Sequence, residues 1–185
     1  MLSGKGIVLR ALEREDVKLI HKWQNDEEVM RLARSQPDHV ISMEALSAEL
    51  DKQIKNEDPL VRRYGIEEKS TGRLIGWCSI RFNSWAGRYT SAEIGLAIGE
   101  KDRWRKGYGT EVTGLLLKEC FEQLNLHHVG WWTYAENEGS IVLAKKMGFK
   151  EEGRLRENSF FDGQFHDSVV LGLLRDEYVK SQKQR

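Results

Sequence analysis

Long apolar runs, proline, cysteine and surplus charge are all scarce in this chain of 185 residues. No apolar stretch approaches the ~18 residues that a membrane-spanning helix needs. The first residues also lack the apolar core of a signal peptide. The expectation is a cytoplasmic protein with no membrane partner. The two cysteines, Cys78 and Cys120, stand inside apolar patterns and read as reduced core residues. No Cys/His cluster has metal-ligand spacing, so no metal is expected. The 29 basic side chains balance 29 acidic ones. A nucleic-acid binder usually carries net positive charge, so no direct nucleic-acid partner is expected, although a local basic patch stays open. No repeat, low-complexity segment or Pro/Ser-rich linker divides the chain. Its length fits one domain with a sizeable core, residues 1–185, with a polar tail after Tyr178 expected to fray.

What is present is periodicity. Ile7 to Leu12 reads as a strand, and Val17, Ile20 and Trp23 mark a short amphipathic helix. Ser42 stands where a cap would open a second helix, striped by Met43, Leu46, Leu50 and Ile54. Arg62 to Glu68 and Arg73 to Asn83 read as strands around a Ser70-Thr71-Gly72 turn, followed by a strand from Tyr89 to Ile98. The spacing of Val112, Leu116, Cys120 and Leu124 predicts a helix from Thr110 to Asn125. A strand from His128 to Tyr134 and a helix from Gly139 to Met147 come next. A hairpin of Lys150 to Phe161 and Gln164 to Leu174, around Asp162-Gly163, completes the order. Strands mixed with isolated helices imply an α+β (mixed α/β) domain whose mixed sheet is covered on both faces.

Between a strand and a helix lies Arg103-Trp104-Arg105-Lys106-Gly107-Tyr108-Gly109-Thr110. Two glycines let the backbone come close to a ligand. The unpaired N–H groups of the following helical turn then face that ligand, and the helix dipole favours an anion. Arg103, Arg105 and Lys106 add positive charge. Together these features make a pyrophosphate cradle. Two familiar phosphate loops are excluded, because Val112 replaces the third glycine of GxGxxG and GxxxxGK[ST] has no match. An ordinary strand-to-helix turn with solvated basic residues remains the alternative.

The preceding strand alternates through Ala92-Glu93-Ile94-Gly95-Leu96-Ala97-Ile98. Ile94, Leu96 and Ile98 form one apolar face. Glu93 shares the other with Gly95 and Ala97, whose small side chains leave room beside the carboxylate. Two readings stay open: a general base at the floor of a cleft, or a glutamate paired with an arginine on a neighbouring strand.

These segments together resemble the GNAT superfamily of acetyl-CoA-dependent N-acetyltransferases. The likeness runs from Leu9-Arg10 to Glu177-Tyr178 and is strongest in AEIGLAI followed by WRKGYGTEV. Asn137-Glu138-Gly139-Ser140-Ile141 and Lys146-Met147-Gly148-Phe149 resemble further signatures of that superfamily. The closing run from Glu152-Gly153 to Glu177-Tyr178 resembles the ribosomal-protein (RimJ/RimL-like) branch, which borders the spermidine acetyltransferases. The resemblance implies a central mixed, mostly antiparallel sheet with helices on both faces. It implies acetyl-CoA as co-substrate, held by the main chain of Leu96, Ala97 and Ile98 and by Trp104, Arg105, Lys106, Gly107, Tyr108, Gly109, Thr110 and Asn137. It also implies Glu93 as general base. Two positions depart from the pattern. Trp104 stands where Gln or Arg often begins the turn, and Ala144 stands where many members carry a tyrosine that protonates the leaving thiolate. By resemblance Ser140 or a water takes that role, although Ser140 also suits a helix cap. A homodimer is common among resembling proteins.

The implied chemistry is attack by a neutral amine on the thioester carbonyl in a ternary complex. Neutralising a lysine-like amine of pKa ~10.4 at pH 7 costs about 4–5 kcal/mol, against about 1 kcal/mol for an α-amine near ~8. Backbone N–H groups near Ala97 and Ile98 would face the developing oxyanion. The first acceptor expected is a protein N-terminal α-amine. The alternatives are a polyamine, amino-acid or antibiotic acceptor, and a non-catalytic acyl-CoA-binding sensor. Of the adjacent pair Trp131 and Trp132, one is expected in the core and the other beside the substrate. His127 and His128 read as solvated, Asp167 reads equally as a hairpin ion pair, and Trp85, Arg88 and Tyr89 read as a substrate-shaping loop.

Overall fold

In the computed structural model, residues 1–33, 40–55, 57–85 and 88–183 are described, apart from the side chains of residues 84–89. The chain forms two compact units, each assembled from two stretches: residues 1–79 with 96–115, and residues 80–95 with 116–185. The architecture is α+β, with eight strands hydrogen-bonded in the order β1-β2-β3-β4-β5-β6-β8-β7.

The first unit contains β1 (Leu2–Ser3), β2 (Ile7–Arg10), α1 (Val17–Gln24), α2 (Glu27–Met30), α3 (Met43–Ile54) and β3 (Val61–Glu68). It also holds the start of β4 (Arg73–Trp85), the end of β5 (Arg88–Ile98) and the first turns of α4 (Tyr108–Lys118). Its core joins Ile20 and Trp23 of α1 to Leu46 and Leu50 of α3, with Leu12, Val29 and Leu74. The Ser42 hydroxyl accepts from Ala45 N–H at 3.1 Å, so the expected cap is present. The expected stripe on α3 is shorter than its spacing suggested. Met43 and Ile54, at the two ends of the helix, stay exposed and only the middle residues reach the core.

In the second unit, α4 gives way to a π-turn over Glu119–Gln123. That wider turn changes the buried face, so Cys120 and Phe121 are both enclosed while Leu124 is only half-buried. β6 (His128–Tyr134), α5 (Glu138–Lys146), β7 (Lys150–Phe161), β8 (Gln164–Leu174) and α6 (Arg175–Lys183) follow. The β5–β6 pair is parallel and covers only Ser91–Glu93 against His128–Gly130, whereas β6–β8 and β7–β8 are antiparallel. Asp162 (φ 50°) and Gly163 (φ 76°) are both left-handed, as the hairpin turn between β7 and β8 requires. The tail expected to fray is instead helical to Lys183. Tyr178 is buried against Phe121, with ring centroids 4.8 Å apart, and its hydroxyl donates to Glu122 at 2.8 Å. Cys78 and Cys120 are buried and unbridged.

Candidate active site

The glycine turn lies in the first unit, between the end of β5 and the start of α4, as its place between a strand and a helix in the sequence suggested. A short 3-10 turn over Lys101–Arg103 leads into it, and α4 begins at Tyr108, two residues earlier than the apolar spacing implied. Gly107 takes φ 87°, and a Cβ there would meet open space. Only Gly fits that backbone without strain, and the opening beside it suits close approach by a ligand. Glu111 N–H closes onto Gly107 O at 3.1 Å, so the N–H groups of Tyr108, Gly109 and Thr110 precede the helical ladder. Three N–H groups, a helix start, and the exposed Arg105 and Lys106 suit a pyrophosphate. Arg105 is itself left-handed at φ 59°. Arg103 does not add free charge to the cradle, because its guanidinium is engaged by Glu68 and Asp102.

Trp104 explains its own departure from the family pattern. Its indole N–H donates to Ile98 O at 2.7 Å, tying the turn to the end of β5. At that end the strand is irregular. Gly99 and Glu100 N–H both donate to Ile75 O, at 2.8 and 3.2 Å, as at a β-bulge. Opposite, Gly76 has no side chain, and a Cβ there would collide with the Ala97 carbonyl oxygen. With Ala97 O turned toward β4, a trans peptide turns Ile98 N–H the other way.

The expected open face of β5 is only partly open. Glu93 and Gly95 are exposed, but Ala97 is 9% exposed and therefore buried. The reason lies two residues further on, where Gly99 presses against the Trp23 indole and leaves no room even for a Cβ. Leu96 and Ile98 are half-buried. Among the described residues no hydrogen bond or ion pair holds Glu93. Protein atoms around its carboxyl group strip enough water to raise its pKa above the ordinary value, and the charge of Arg81 on β4 opposes that rise. The arginine expected under the structural reading is thus nearby, without forming a bridge.

In the second unit, Asn137 caps α5, its side chain accepting from Ser140 N–H at 3.1 Å. Ser140 therefore does not cap the helix. Its Oγ accepts from Trp131 Nε1 at 2.8 Å. That bond occupies one lone pair and leaves the serine O–H to point elsewhere. Ala144 is fully buried. Trp131 is the core member of its pair and Trp132 is half-buried, stacked edge-on to Tyr134. His128 bonds Glu152 at 3.0 Å, and His127 is exposed. Asp167 accepts from Glu157 N–H and faces Arg154, the hairpin pairing that its position allowed. His166 is buried, with Glu136 at 2.9 Å from Nδ1 and Phe161 O at 3.1 Å from Nε2; the Glu136 carboxylate raises its pKa. The side chains of Trp85, Arg88 and Tyr89 lie outside the described residues. No cluster of three or more His, Cys, Asp or Glu fit to hold a metal occurs among the described residues, and no helix there is long and apolar enough to cross a membrane.

A strand ending in a bulge is tied through an indole to a glycine turn at a helix start, an arrangement that suits a ligand carrying a pyrophosphate. The description "Acetyltransferase (GNAT) domain" matches residues 7–150. The chain belongs to the GNAT acetyltransferase family. It is 30% identical over 179 residues to the uncharacterized N-acetyltransferase YoaA of Bacillus subtilis, covering 95% of this chain and 97% of the relative. It is 28% identical over 183 residues to the spermidine N(1)-acetyltransferase of Escherichia coli, covering 99% and 94%. A crystal structure of spermidine N-acetyltransferase from Vibrio cholerae, in complex with CoA and spermine, superposes with TM-score 0.83 at 29% identity, covering 95% of this chain and 99% of that one. The chain is an N-acetyltransferase. These relatives are named as spermidine acetyltransferases or as N-acetyltransferases of unassigned acceptor, and do not point specifically to the ribosomal-protein branch.

Sequence reading missed Glu68, Gly76 and Arg81. Each stands in a predicted strand, and nothing within its own segment distinguishes it.

Proposed function

We propose that this chain transfers the acetyl group of acetyl-CoA to a primary amine of a polyamine, by direct attack in a ternary complex. The observation that carries the acceptor is the near full-length likeness to spermidine acetyltransferases, one of them bound to CoA and spermine. The whole chain, residues 1–185, acts in this reading as one catalytic domain in the cytoplasm. The backbone of Arg105 to Thr110 receives the pyrophosphate, with Trp104 holding the turn to β5. Leu96, Ala97 and Ile98 receive the acyl arm through their main chain, with Ile98 N–H as an oxyanion donor. Asn137 contributes from the start of α5. Glu93 takes the proton that the ammonium group must lose before its nitrogen can attack the thioester carbonyl. Its raised pKa brings its basicity nearer to neutrality, which improves a general base. Ser140 relays a proton to the leaving thiolate, giving up its hydroxyl proton as a solvent water returns one to Oγ, a role consistent with its Oγ accepting from Trp131.

One observation favours the second reading, a protein N-terminal α-amine. The Arg81 charge beside Glu93 opposes a polycation, and an α-amine needs less help to become neutral. A thiol-release assay with acetyl-CoA against spermidine, spermine, N-terminal peptides, free amino acids and aminoglycosides separates these readings. The highest kcat/KM is expected for spermidine or spermine, and Arg81→Met is expected to raise it further for these polycations than for peptides. A peptide that outruns every polyamine would establish the second reading. Binding of acetyl-CoA without thiol release on any acceptor would leave a sensor.

A further inference from the structure

Glu68, at the end of β3, is a carboxylate only 4% exposed. Its two carboxylate oxygens collect three side-chain donors. Thr71 Oγ1 reaches Oε2 at 2.8 Å, the Arg103 guanidinium reaches Oε1 at 2.9 Å and Oε2 at 3.1 Å, and the Tyr108 hydroxyl donates a short hydrogen bond to Oε1. Thr71 belongs to the β3–β4 turn. The other two donors are the residues on either side of Trp104–Gly107. One buried carboxylate therefore holds both ends of the glycine turn. Tyr108 supplies the first residue of α4, and Arg103 the last residue before Trp104. The Tyr108, Thr71 and Arg103 hydrogen bonds lower the Glu68 pKa to about 2, so it stays ionised at any working pH.

We propose that Glu68 is a positioning residue for the pyrophosphate cradle: it clamps Arg103 and Tyr108 so that the Trp104–Gly107 backbone keeps one shape. The proposal rests on the placement of acetyl-CoA given above. The physical reason is preorganisation. Arg105 and Gly107 both hold left-handed backbone, and such a turn keeps a single conformation only if its ends are fixed. Glu68→Gln keeps the shape but replaces an acceptor oxygen with an NH2 group, which faces donors instead of receiving them. Tyr108→Phe removes one arm of the clamp and leaves the charge pair with Arg103.

The test compares two acetyl donors, acetyl-CoA and S-acetylpantetheine, which lacks the pyrophosphate. Glu68→Gln is expected to raise KM for acetyl-CoA about tenfold or more, because bonds to charged groups are among the stronger hydrogen bonds. Turnover at saturation should hold, as should kcat/KM for S-acetylpantetheine. Tyr108→Phe is expected to show the same selectivity with a smaller change, and it serves as the test if Glu68→Gln does not fold. Gly107→Val is the control for the site itself. If Gly107→Val discriminates between the donors and the clamp variants impair both equally, or neither, Glu68 is merely structural and the proposal is overturned. If Gly107→Val does not discriminate either, the turn is not the pyrophosphate site, and the failure belongs to that placement.

Discussion

In the proposed mechanism, Glu93 is the residue on which the chemistry turns. Its carboxyl group is accessible, is held by no hydrogen bond or ion pair among the described residues, and has a pKa raised by desolvation against the pull of Arg81. A base must be ionised to act. The acidic limb of kcat/KM is therefore expected above the ordinary glutamate range, and Glu93→Gln should abolish that limb. The substitution keeps the shape and removes the basicity, so turnover should fall about 10²–10⁴-fold at neutral pH, the scale of general-base catalysis. The loss should shrink as pH rises, because bulk solvent then supplies neutral amine. It should be larger for a polyamine than for an α-amine, whose pKa is lower by about two units. A variant that turns over at the wild-type rate would remove Glu93 from the mechanism. Its position was legible from strand alternation, but which arginine lies near it was not. Arg81 lies on a different strand, and no spacing rule connects the two.

The end of β5 shows what an element owes to its neighbours. Alternation placed Ala97 beside Glu93 and Gly95 correctly in phase, but not in environment, because Trp23 of α1 packs over that end. The bulge at Gly99 and Glu100 exists because Ile75 O takes both N–H groups and Gly76 leaves space for the Ala97 carbonyl. Gly76→Ala would place a methyl against the backbone of Ala97 and Ile98, which cannot swing aside like a side chain. Overpacking of this kind costs about 1–3 kcal/mol, so Tm should drop. Turnover should fall further than stability explains, by up to about 10²-fold, because the Ile98 N–H donor moves. Stopped-flow turnover beside CoA affinity would check this, with CoA affinity expected to hold. Unchanged turnover in a folded Gly76→Ala protein would mean that the bulge plays no part in catalysis.

At the scale of the molecule, a set of carboxylates with depressed pKa values sets an acid limit. Asp26 is lowered by Lys101, Glu136 by His166, Asp167 by the Glu157 N–H and Glu177 by Lys150. Glu68 is the extreme case, lowered from 4.5 to about 2 by Tyr108, Thr71 and Arg103. A carboxylate whose pKa is lower when folded stabilises the protein above its unfolded pKa, and that stabilisation is lost as pH falls through the folded value. Urea midpoints are therefore expected to fall steadily from pH about 4.5 towards 2, with Glu68→Gln flattening part of that slope. Equal slopes in the two proteins would show that Glu68 does not feel its donors. His166 works the other way: its raised pKa adds stability below the unfolded value that is lost as pH rises through the folded one.

The sequence by itself determined what depends on near neighbours. The Ser42 cap, the bounds of β6, the Asp162-Gly163 hairpin and the glycine turn before α4 follow from side chains and dihedrals within a few residues. The order of those segments was enough to indicate the family. Tertiary structure decided what depends on register and packing. Glu68 meets Tyr108 across 40 positions in the chain, and Arg103 is drawn from the cradle into that same carboxylate. Gly76 receives the Ala97 carbonyl, and the tail expected to fray is held as a helix by Tyr178 on Phe121. A strand's own periodicity says which way a side chain points. What waits for it there is set by other segments, brought alongside only when the chain has folded.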